Sequence, residues 1–149
     1  MLKLSNKGIY GIKALYELAR NYDGPPVNIR EISNRHGLPI PFLEQVLYQL
    51  KNEGLVISKR GIHGGYLLAR QPDDITLGDV IRALEGPIAL CECLIREKDD
   101  DDIPEKARGC ITSDIYRRIG EKVSDVFDSF TLQELLEEDQ LSSATGTCT

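Results

Sequence analysis

The sequence has few of the features that mark membrane, secreted or catalytic proteins. No apolar run reaches about 18 residues, and residues 1–4 begin no apolar stretch of the kind found in a signal peptide. Histidine occurs twice, and no nucleophile–base pair accompanies either copy. With 149 residues, the chain is also too short for a two-domain enzyme. We therefore expect a soluble, cytoplasmic protein that is not an enzyme.

Cysteine is also scarce, and its placement is uneven. The chain has four cysteines, all beyond residue 90: Cys91, Cys93, Cys110 and Cys148. In a cytoplasmic protein such residues act as thiols, metal ligands or redox switches rather than as a disulfide framework. Cys148 lies near the end of the chain, where we expect it to be incidental.

Positive charge is confined largely to the first half of the chain. Residues 1–72 contain ten lysines and arginines against five acidic residues, whereas the remaining residues contain eight basic and nineteen acidic residues. The net charge of −6 therefore hides a basic front half and an acidic back half. This division predicts a polyanion-binding face attached to a second functional segment.

The first half of the chain predicts three helices. Apolar residues at helical spacing run from about Lys7 to Tyr22, and the turn at residues 23–26 ends this helix. A capping box at residues 28–31 opens a short second helix, which Gly37 closes in a left-handed conformation. Pro41 lies in the first turn of a third helix, where its missing N–H costs little. Two short helices joined by a tight turn are typical of a helix-turn-helix.

A glycine-rich hairpin follows the third helix. Residues 55–60 and 66–70 have the pattern of two strands, which residues 61–65 join. A capping motif at residues 76–79 then begins a helix that ends at Glu85. A helix-turn-helix followed by such a hairpin predicts a winged helix, and hence a mainly α fold with a small β-hairpin.

The second half predicts a loop, a long helix and a tail. Helical periodicity is lost before residue 112, resumes at Thr112 or Ser113 and continues to Phe130, and Thr131 starts a short further helix. We divide the chain into a winged helix-turn-helix domain (1–86), a cysteine-bearing loop (87–111), the long and terminal helices (112–138) and a disordered tail (139–149). The acidic run from Asp99 to Asp102 belongs to the loop.

The helix-turn-helix supplies candidate contacts to DNA bases. The second helix of this motif lies in the major groove and presents its first exposed residues to base edges. Gln45 can read adenine through its amide, and Glu44 can accept from cytosine N4. The full set of candidates on this helix is Pro41, Glu44, Gln45 and Tyr48. The alternative is a solvated helix face in a winged helix that binds protein instead of DNA.

The wing and its surroundings supply candidate contacts to the backbone and the minor groove. Arg60 suits a narrow minor groove, where the negative potential is strongest. His63, at the tip of the wing, is a surface residue rather than a metal ligand, and it is a further candidate for contact with DNA. The candidate phosphate contacts are Lys7, Arg35, Lys59 and Arg70. For each of these cations a solvated surface charge is the alternative.

Several segments closely resemble one family of bacterial regulators. They are residues 4–8 (LSNKG), 42–45 (FLEQ), 54–56 (GLV), 60–66 (RGIHGGY), 75–86 (ITLGDVIRALEG) and 109–112 (GCIT). Together they resemble the Rrf-type winged-helix family that includes the iron–sulfur regulator IscR, the nitric-oxide sensor NsrR and the cysteine-metabolism repressor CymR. The resemblance covers about residues 1–138.

This resemblance implies a homodimeric transcription factor that binds double-stranded DNA at a near-palindromic operator. In the family the long helix, here about residues 113–130, crosses the dyad. The apolar stripe of this helix agrees, because it is more apolar than one winged helix can cover. A core formed entirely within one chain is the alternative.

Many members of the family hold an iron–sulfur cluster, commonly 2Fe–2S, on cysteines in the loop before the dimer helix. Counted from the matching segment at residues 78–86, Cys93 falls at the family's first cysteine and Cys110 at its last. The middle cysteine is absent, Cys91 is additional, and Ser113 occupies the position of a histidine ligand. The resemblance therefore implies Cys91, Cys93 and Cys110 as ligands, with a further ligand from elsewhere.

Two alternatives to a cluster remain open for these thiols. A disulfide between two of the three cysteines can reshape the loop in response to oxidation. The loop can instead bind a partner protein, as in cluster-free members of the family. A cluster-dependent sensor of redox, iron–sulfur or nitric-oxide status is the function that we expect; a cluster-free repressor of cysteine or sulfur metabolism is the alternative.

Overall fold

The computed structural model describes residues 3–90 and 112–145. In the described residues the helices are α1 (Asn6–Arg20), α2 (Ile29–His36), α3 (Ile40–Asn52), α4 (Leu77–Glu85), α5 (Ser113–Asp128) and α6 (Leu132–Thr145). The strands β1 (Val56–Lys59) and β2 (Gly65–Leu68) lie between α3 and α4, followed by a 3-10 turn (Pro72–Asp74). A helix-turn-helix with a hairpin wing is confirmed, as is the mainly α fold. No helix in the described ranges has the length and apolarity needed to span a bilayer.

The ends of the first helices follow the predicted sequence signals. The Ser5 hydroxyl accepts from the Gly8 N–H at the start of α1. Asn28 caps α2 by accepting from the Arg30 N–H, and Gly37 closes this helix at φ 62°. Glu31 does not complete the predicted capping box, because its carboxylate lies 3.8 Å from the Arg35 guanidinium instead.

The core lies where α1, α3 and α4 meet. The buried side of α3 presents leucines and a valine that are at most 1% exposed: Leu43, Val46, Leu47 and Leu50. Burying one such side chain contributes roughly 1.5–3 kcal/mol. Gly11 allows α1 to approach α4 closely, since a Cβ at this position would lie 2.1 Å from Leu84 Cδ1. This packing leaves the opposite side of α3 facing solvent.

The wing is fixed to the start of α2. β1 and β2 pair antiparallel from Val56 opposite Leu68 to Lys59 opposite Gly65. Val27 and Tyr66 exchange two backbone hydrogen bonds of 2.9 Å, which add a bridge on the free side of β2. The hairpin is therefore held to the start of α2 as well as to α3.

The last helix returns to pack against α1 and the 3-10 turn. Leu132 is fully buried, and the Tyr16 hydroxyl donates to Asp139 at 2.5 Å. Burial, reinforced by Asp139, raises the pKa of Tyr16 to about 12. The helix continues to Thr145, whereas the sequence predicted a disordered tail from residue 139. The contact with Tyr16 and the helix-favouring residues around it explain the extension; residues 146–149 lie outside the described part of the chain.

Candidate nucleic-acid interface

The exposed side of α3 carries the predicted base-reading residues. Pro41 lies in the first turn, and Glu44 and Gln45 are exposed one turn later. Tyr48 is 67% exposed, which is high for an aromatic side chain. Glu44, Gln45 and Tyr48 thus point away from the core on the helix that would enter the major groove.

Gln49 holds α3 in a fixed orientation, a role that sequence reasoning did not identify. Its side-chain amide donates to the backbone carbonyl of Ala83 at 2.9 Å, near the C-terminus of α4. Such a bond satisfies one of the carbonyls that a helix end leaves unpaired. The exposed face of α3 is therefore oriented by its contact with α4.

The wing presents a small, cationic tip. Lys59, Arg60 and His63 are all exposed, and Ile62 is 98% exposed. The turn is tight at Gly64, where a Cβ would lie 2.4 Å from the Lys59 carbonyl oxygen. A narrow tip with an arginine at its base has the shape and charge for entry into a minor groove.

The other predicted phosphate contacts are partly neutralised by neighbouring acids. Arg35 lies 3.1 Å from a Glu17 oxygen and is 49% exposed. Arg70 lies 3.9 Å from Asp79. Lys7 is half-buried in the first turn of α1. The wing is therefore the more accessible source of positive charge.

Glu17 forms a charged cluster between α1 and α2 that the sequence did not reveal. Its carboxylate is 5% exposed and lies 3.0 Å from His36 Nε2 and 3.4 Å from Arg20. A buried carboxylate needs such partners, because an unpaired charge in the interior is costly. His36, the last residue of α2, contacts α1 through this carboxylate.

A polar joint connects the winged helix to the end of α5. The Arg82 guanidinium donates hydrogen bonds to both carboxylate oxygens of Asp128, at 2.5 and 3.2 Å, and to the hydroxyl of Ser124. The Thr76 hydroxyl donates to Asp128, while Thr76 and Asp79 form the predicted capping box of α4. Hydrogen bonding to Arg82 holds the pKa of Asp128 below its ordinary value, and the same bond raises the pKa of Arg82. We call Thr76, Asp79, Arg82 and Asp128 the α4–α5 joint.

The backbone reinforces this joint on both sides. The Leu77 N–H donates to the Phe130 carbonyl at 2.8 Å, and the Leu132 N–H donates to the Ile75 carbonyl at 3.0 Å. A Cβ at Gly78 would lie 1.9 Å from the Asp128 carboxylate, so only glycine admits this approach without displacement. α4 and the end of α5 are therefore joined by side-chain and main-chain bonds together.

We expect Asp128→Asn to lower the free energy of unfolding by about 1–2 kcal/mol at neutral pH, since bonds to charged groups are stronger than neutral ones. The upper end is limited by solvent screening, because Arg82 and Asp128 are 36% and 38% exposed. The pKa of Asp128 is lowered in the folded state, so its stabilisation is complete above the ordinary aspartate value of about 4 and is lost as pH falls further.

Urea unfolding of both proteins between pH 7 and pH 3 measures this difference. Asp125→Asn, at an exposed position on the same helix, serves as the matched control. A stability gap between wild type and Asp128→Asn that stays constant with pH would show that the ion pair does not stabilise the joint.

α5 exposes an apolar face that the rest of the described chain does not cover. The large exposed apolar side chains on or just after this helix are Ile115, Tyr116, Ile119, Val126 and Phe130. Val123 and Phe127, from the same predicted stripe, are half-buried and line a cavity of about 550 Å³ together with Ile81 on α4. Continuous exposed patches of this kind mark interaction surfaces.

The candidate metal ligands Cys91, Cys93 and Cys110 lie outside the described residues, as does Cys148. Within residues 3–90 and 112–145, no three histidine, cysteine or acidic side chains are grouped as a metal site. Ser113, where the resemblance implies a histidine ligand in related proteins, begins α5. The cluster hypothesis therefore rests on the sequence of the cysteine-bearing segment.

Comparison with known proteins gives one consistent result. The family model Rrf2, described as an iron-dependent transcriptional regulator, matches residues 4–138. The HTH-type transcriptional regulator CymR of Bacillus subtilis is 40% identical over 134 residues, which are 90% of this chain and 89% of the relative.

Solved structures agree in sequence and in shape. The structure of CymR, the global cysteine regulator of B. subtilis, has a TM-score of 0.73 at 39% identity and covers 93% of this chain and 98% of its own. The structure of T. potens IscR has a TM-score of 0.72 at 37% identity, with coverage of 93% and 88%.

Proposed function

The chain belongs to the Rrf2 family of transcriptional regulators, and we propose that it acts as a homodimer whose two wings and recognition helices grip a near-palindromic duplex. As a transcriptional regulator it is not an enzyme. The observation that carries the proposal is that the exposed side of α3 and the cationic wing are adjacent, joined by the hydrogen bond from Lys51 to Ser58.

DNA recognition is divided between the two elements. Glu44 and Gln45 lie where a recognition helix meets base edges, so we assign them to the major groove. Arg60 and the exposed tip of the wing suit the minor groove beside it. Lys59 contributes charge to the backbone contact, and Lys7, Arg35 and Arg70 are secondary because of their burial or their acidic neighbours.

Dimerisation uses the exposed face of α5. In a twofold dimer the same face of each protomer meets its copy, so one apolar stripe is enough to form the whole interface. Because the α4–α5 joint connects α5 to the winged helix of the same protomer, a movement of α5 also moves that winged helix. A change near the start of α5 can thereby alter the relative placement of two DNA-binding heads.

The cysteine-bearing segment immediately precedes α5 and is the proposed input to this arrangement. Cys91, Cys93 and Cys110 provide three thiolates, the soft ligands that an iron–sulfur cluster requires, and a 2Fe–2S cluster is the group that we favour. When bound, such a cluster supplies reversible one-electron chemistry and sensitivity to oxidation. The chain's part is to provide the thiols and to connect them to α5.

A cluster-free regulator of cysteine or sulfur metabolism is the second candidate. The specific observation in its favour is the 40% sequence identity to CymR of B. subtilis. That protein is described as the global cysteine regulator of B. subtilis. In this case the same cysteines act as thiols or the segment binds a partner protein.

DNA binding is tested with a duplex that the purified dimer selects from a random library. Phosphate contacts release counterions, so affinity must fall steeply as salt rises, and the selected duplex must bind tighter than a random one at every salt concentration. Equal affinity for both duplexes, in the oxidised and in the reduced protein, would contradict sequence-specific DNA recognition. It would support a winged helix that binds protein instead.

We expect Cys93→Ser to abolish the redox response of DNA binding while changing the affinity of the cluster-free protein less than about threefold. Cys148→Ser, near the chain terminus, is the matched control and should respond as wild type does. Anaerobic purification with an absorbance spectrum and iron and sulfide counts separates the two candidates. Iron and sulfide in wild type but not in Cys93→Ser support the cluster; their absence from both, with a thiol-dependent response, supports the alternative.

A further inference from the structure

A polar cleft lies between the wing, the end of α3 and the start of α2. It has a volume of about 490 Å³ and is lined by Lys51, Lys59 and Arg60, with Ser58, Asn28 and wing glycines completing the wall. Among the described residues that line it, three are cationic and none is acidic. A concave surface with unbalanced positive charge focuses its field on an anion.

Lys51 is held at this cleft rather than extended into solvent. Its Nζ donates to the Ser58 hydroxyl at 2.6 Å, which joins the last turn of α3 to strand β1. Ser58 is opposite Tyr66 in the hairpin, and Tyr66 is bonded to Val27 just before α2. Three elements are therefore fixed around the cleft, and the Lys51 side chain has lost part of its rotational freedom before any ligand binds.

The cleft is continuous with the base-reading face. Glu44, Tyr48 and Lys51 follow one another at spacings of four and three residues, so they lie on one side of α3. Seven residues along an α-helix correspond to about 10 Å, close to the width of about 12 Å of the major groove. A helix that places Glu44 at base edges therefore brings Lys51 to the sugar–phosphate wall of that groove.

We propose that this cleft is a clamp for one DNA backbone phosphate, which Lys51 binds from α3 and Lys59 binds from the wing. The proposal rests on the proposed DNA-binding function and assigns to it a contact absent from the predicted set. The clamp fixes the distance between the wing and the recognition helix along the duplex. It thereby positions Glu44 and Gln45 relative to the base pairs, although the phosphate contact itself does not distinguish one base sequence from another.

The test compares Lys51→Gln with Lys13→Gln, an equal loss of charge at an exposed position on α1. Binding is followed by fluorescence anisotropy over a range of salt concentrations, on the selected duplex and on a random duplex. We expect Lys51→Gln to weaken both by a similar factor, about three- to tenfold, and to reduce the slope of log affinity against log salt by about one. Lys51→Arg should restore the slope, and Lys13→Gln should leave it unchanged.

A second arm asks whether the anion is DNA or a free phosphate. Inorganic phosphate is titrated into the wild-type protein without DNA while the amide signals of Ser58, Gly64 and Gly65 are followed by NMR. Weak shifts that vanish in Lys51→Gln, with the salt-slope change above, support the clamp. Saturation by free phosphate in the micromolar range, with an unchanged DNA slope, overturns the assignment to DNA.

The clamp and the proposed function fail in different ways. If Arg60→Ala weakens duplex binding while Lys51→Gln binds with wild-type affinity and slope, the clamp is wrong and DNA recognition stands. If the wild-type protein shows no salt-dependent binding to duplex DNA and no preference for the selected duplex over a random one, the proposed function is wrong. The clamp is then also wrong, because it depends on that function.

Discussion

Replacing Ile119 by glutamate is expected to convert the protein to a monomer and to lower its affinity for the selected duplex at least about 100-fold. Ile119 is 42% exposed near the middle of the apolar face of α5. In a twofold dimer the substitution introduces two carboxylates into one apolar contact, and each must be desolvated on association. Once the subunits separate, the second head no longer binds at the high effective concentration that linkage provides.

Sedimentation equilibrium and anisotropy titration measure the two parts of this expectation. Glu121→Gln, exposed on the opposite side of the same helix, controls for a change in charge, and Ile119→Leu controls for a change in shape. Both controls should remain dimeric. An Ile119→Glu protein that stays dimeric and binds the selected duplex as wild type does would place the subunit contact on another surface.

Removing the Arg60 side chain is the second large effect that we expect. Arg60→Ala should weaken binding to the selected duplex about 10- to 100-fold, corresponding to about 1–3 kcal/mol for a contact that reads the groove. Binding to random duplex should weaken less, because the narrow minor groove that favours arginine is a property of particular sequences. The comparison of the two duplexes separates groove recognition from general attraction between charges.

Gly65→Ala tests the position of the wing without changing its charge. A Cβ at this residue would lie 2.4 Å from the Val27 carbonyl oxygen, so the bridge between β2 and the start of α2 must open. We expect the variant to lose affinity for the selected duplex to a similar extent as Arg60→Ala and to lower the slope against salt, because a displaced wing no longer places Lys59 at a phosphate. Wild-type affinity in Gly65→Ala would mean that the wing acts independently of its attachment.

Local signals in the sequence predicted most of the fold because the chain uses them consistently. Gly37 takes the left-handed conformation expected at a helix end, and Thr76 with Asp79 forms a capping box. Leu43, Val46, Leu47 and Leu50 recur at helical spacing and form the buried side of α3. These features depend on a few neighbouring residues, so periodicity and capping chemistry are sufficient to find them.

Contacts between distant residues were not predicted from the sequence. Glu17 is separated by about 18 residues from Arg35, and Asp128 by 46 from Arg82, and neither pair has a local pattern. Lys51 is exposed at the end of α3, and its bond to Ser58 depends on how the wing packs against that helix. The extension of α6 to Thr145 likewise depends on packing against α1, which propensity alone does not include.

The attachment of α4 to the far end of α5 has a geometric consequence. α5 is 16 residues long, or about 24 Å from end to end, and the winged helix is fastened where it finishes. A tilt of about 5° at the start of such a lever displaces its other end by about 2 Å, more than half the rise between neighbouring base pairs. Because Cys110 precedes the start of this helix by three residues, a small rearrangement there would be enough, in the proposed dimer, to misalign the two DNA-binding heads with their half-sites.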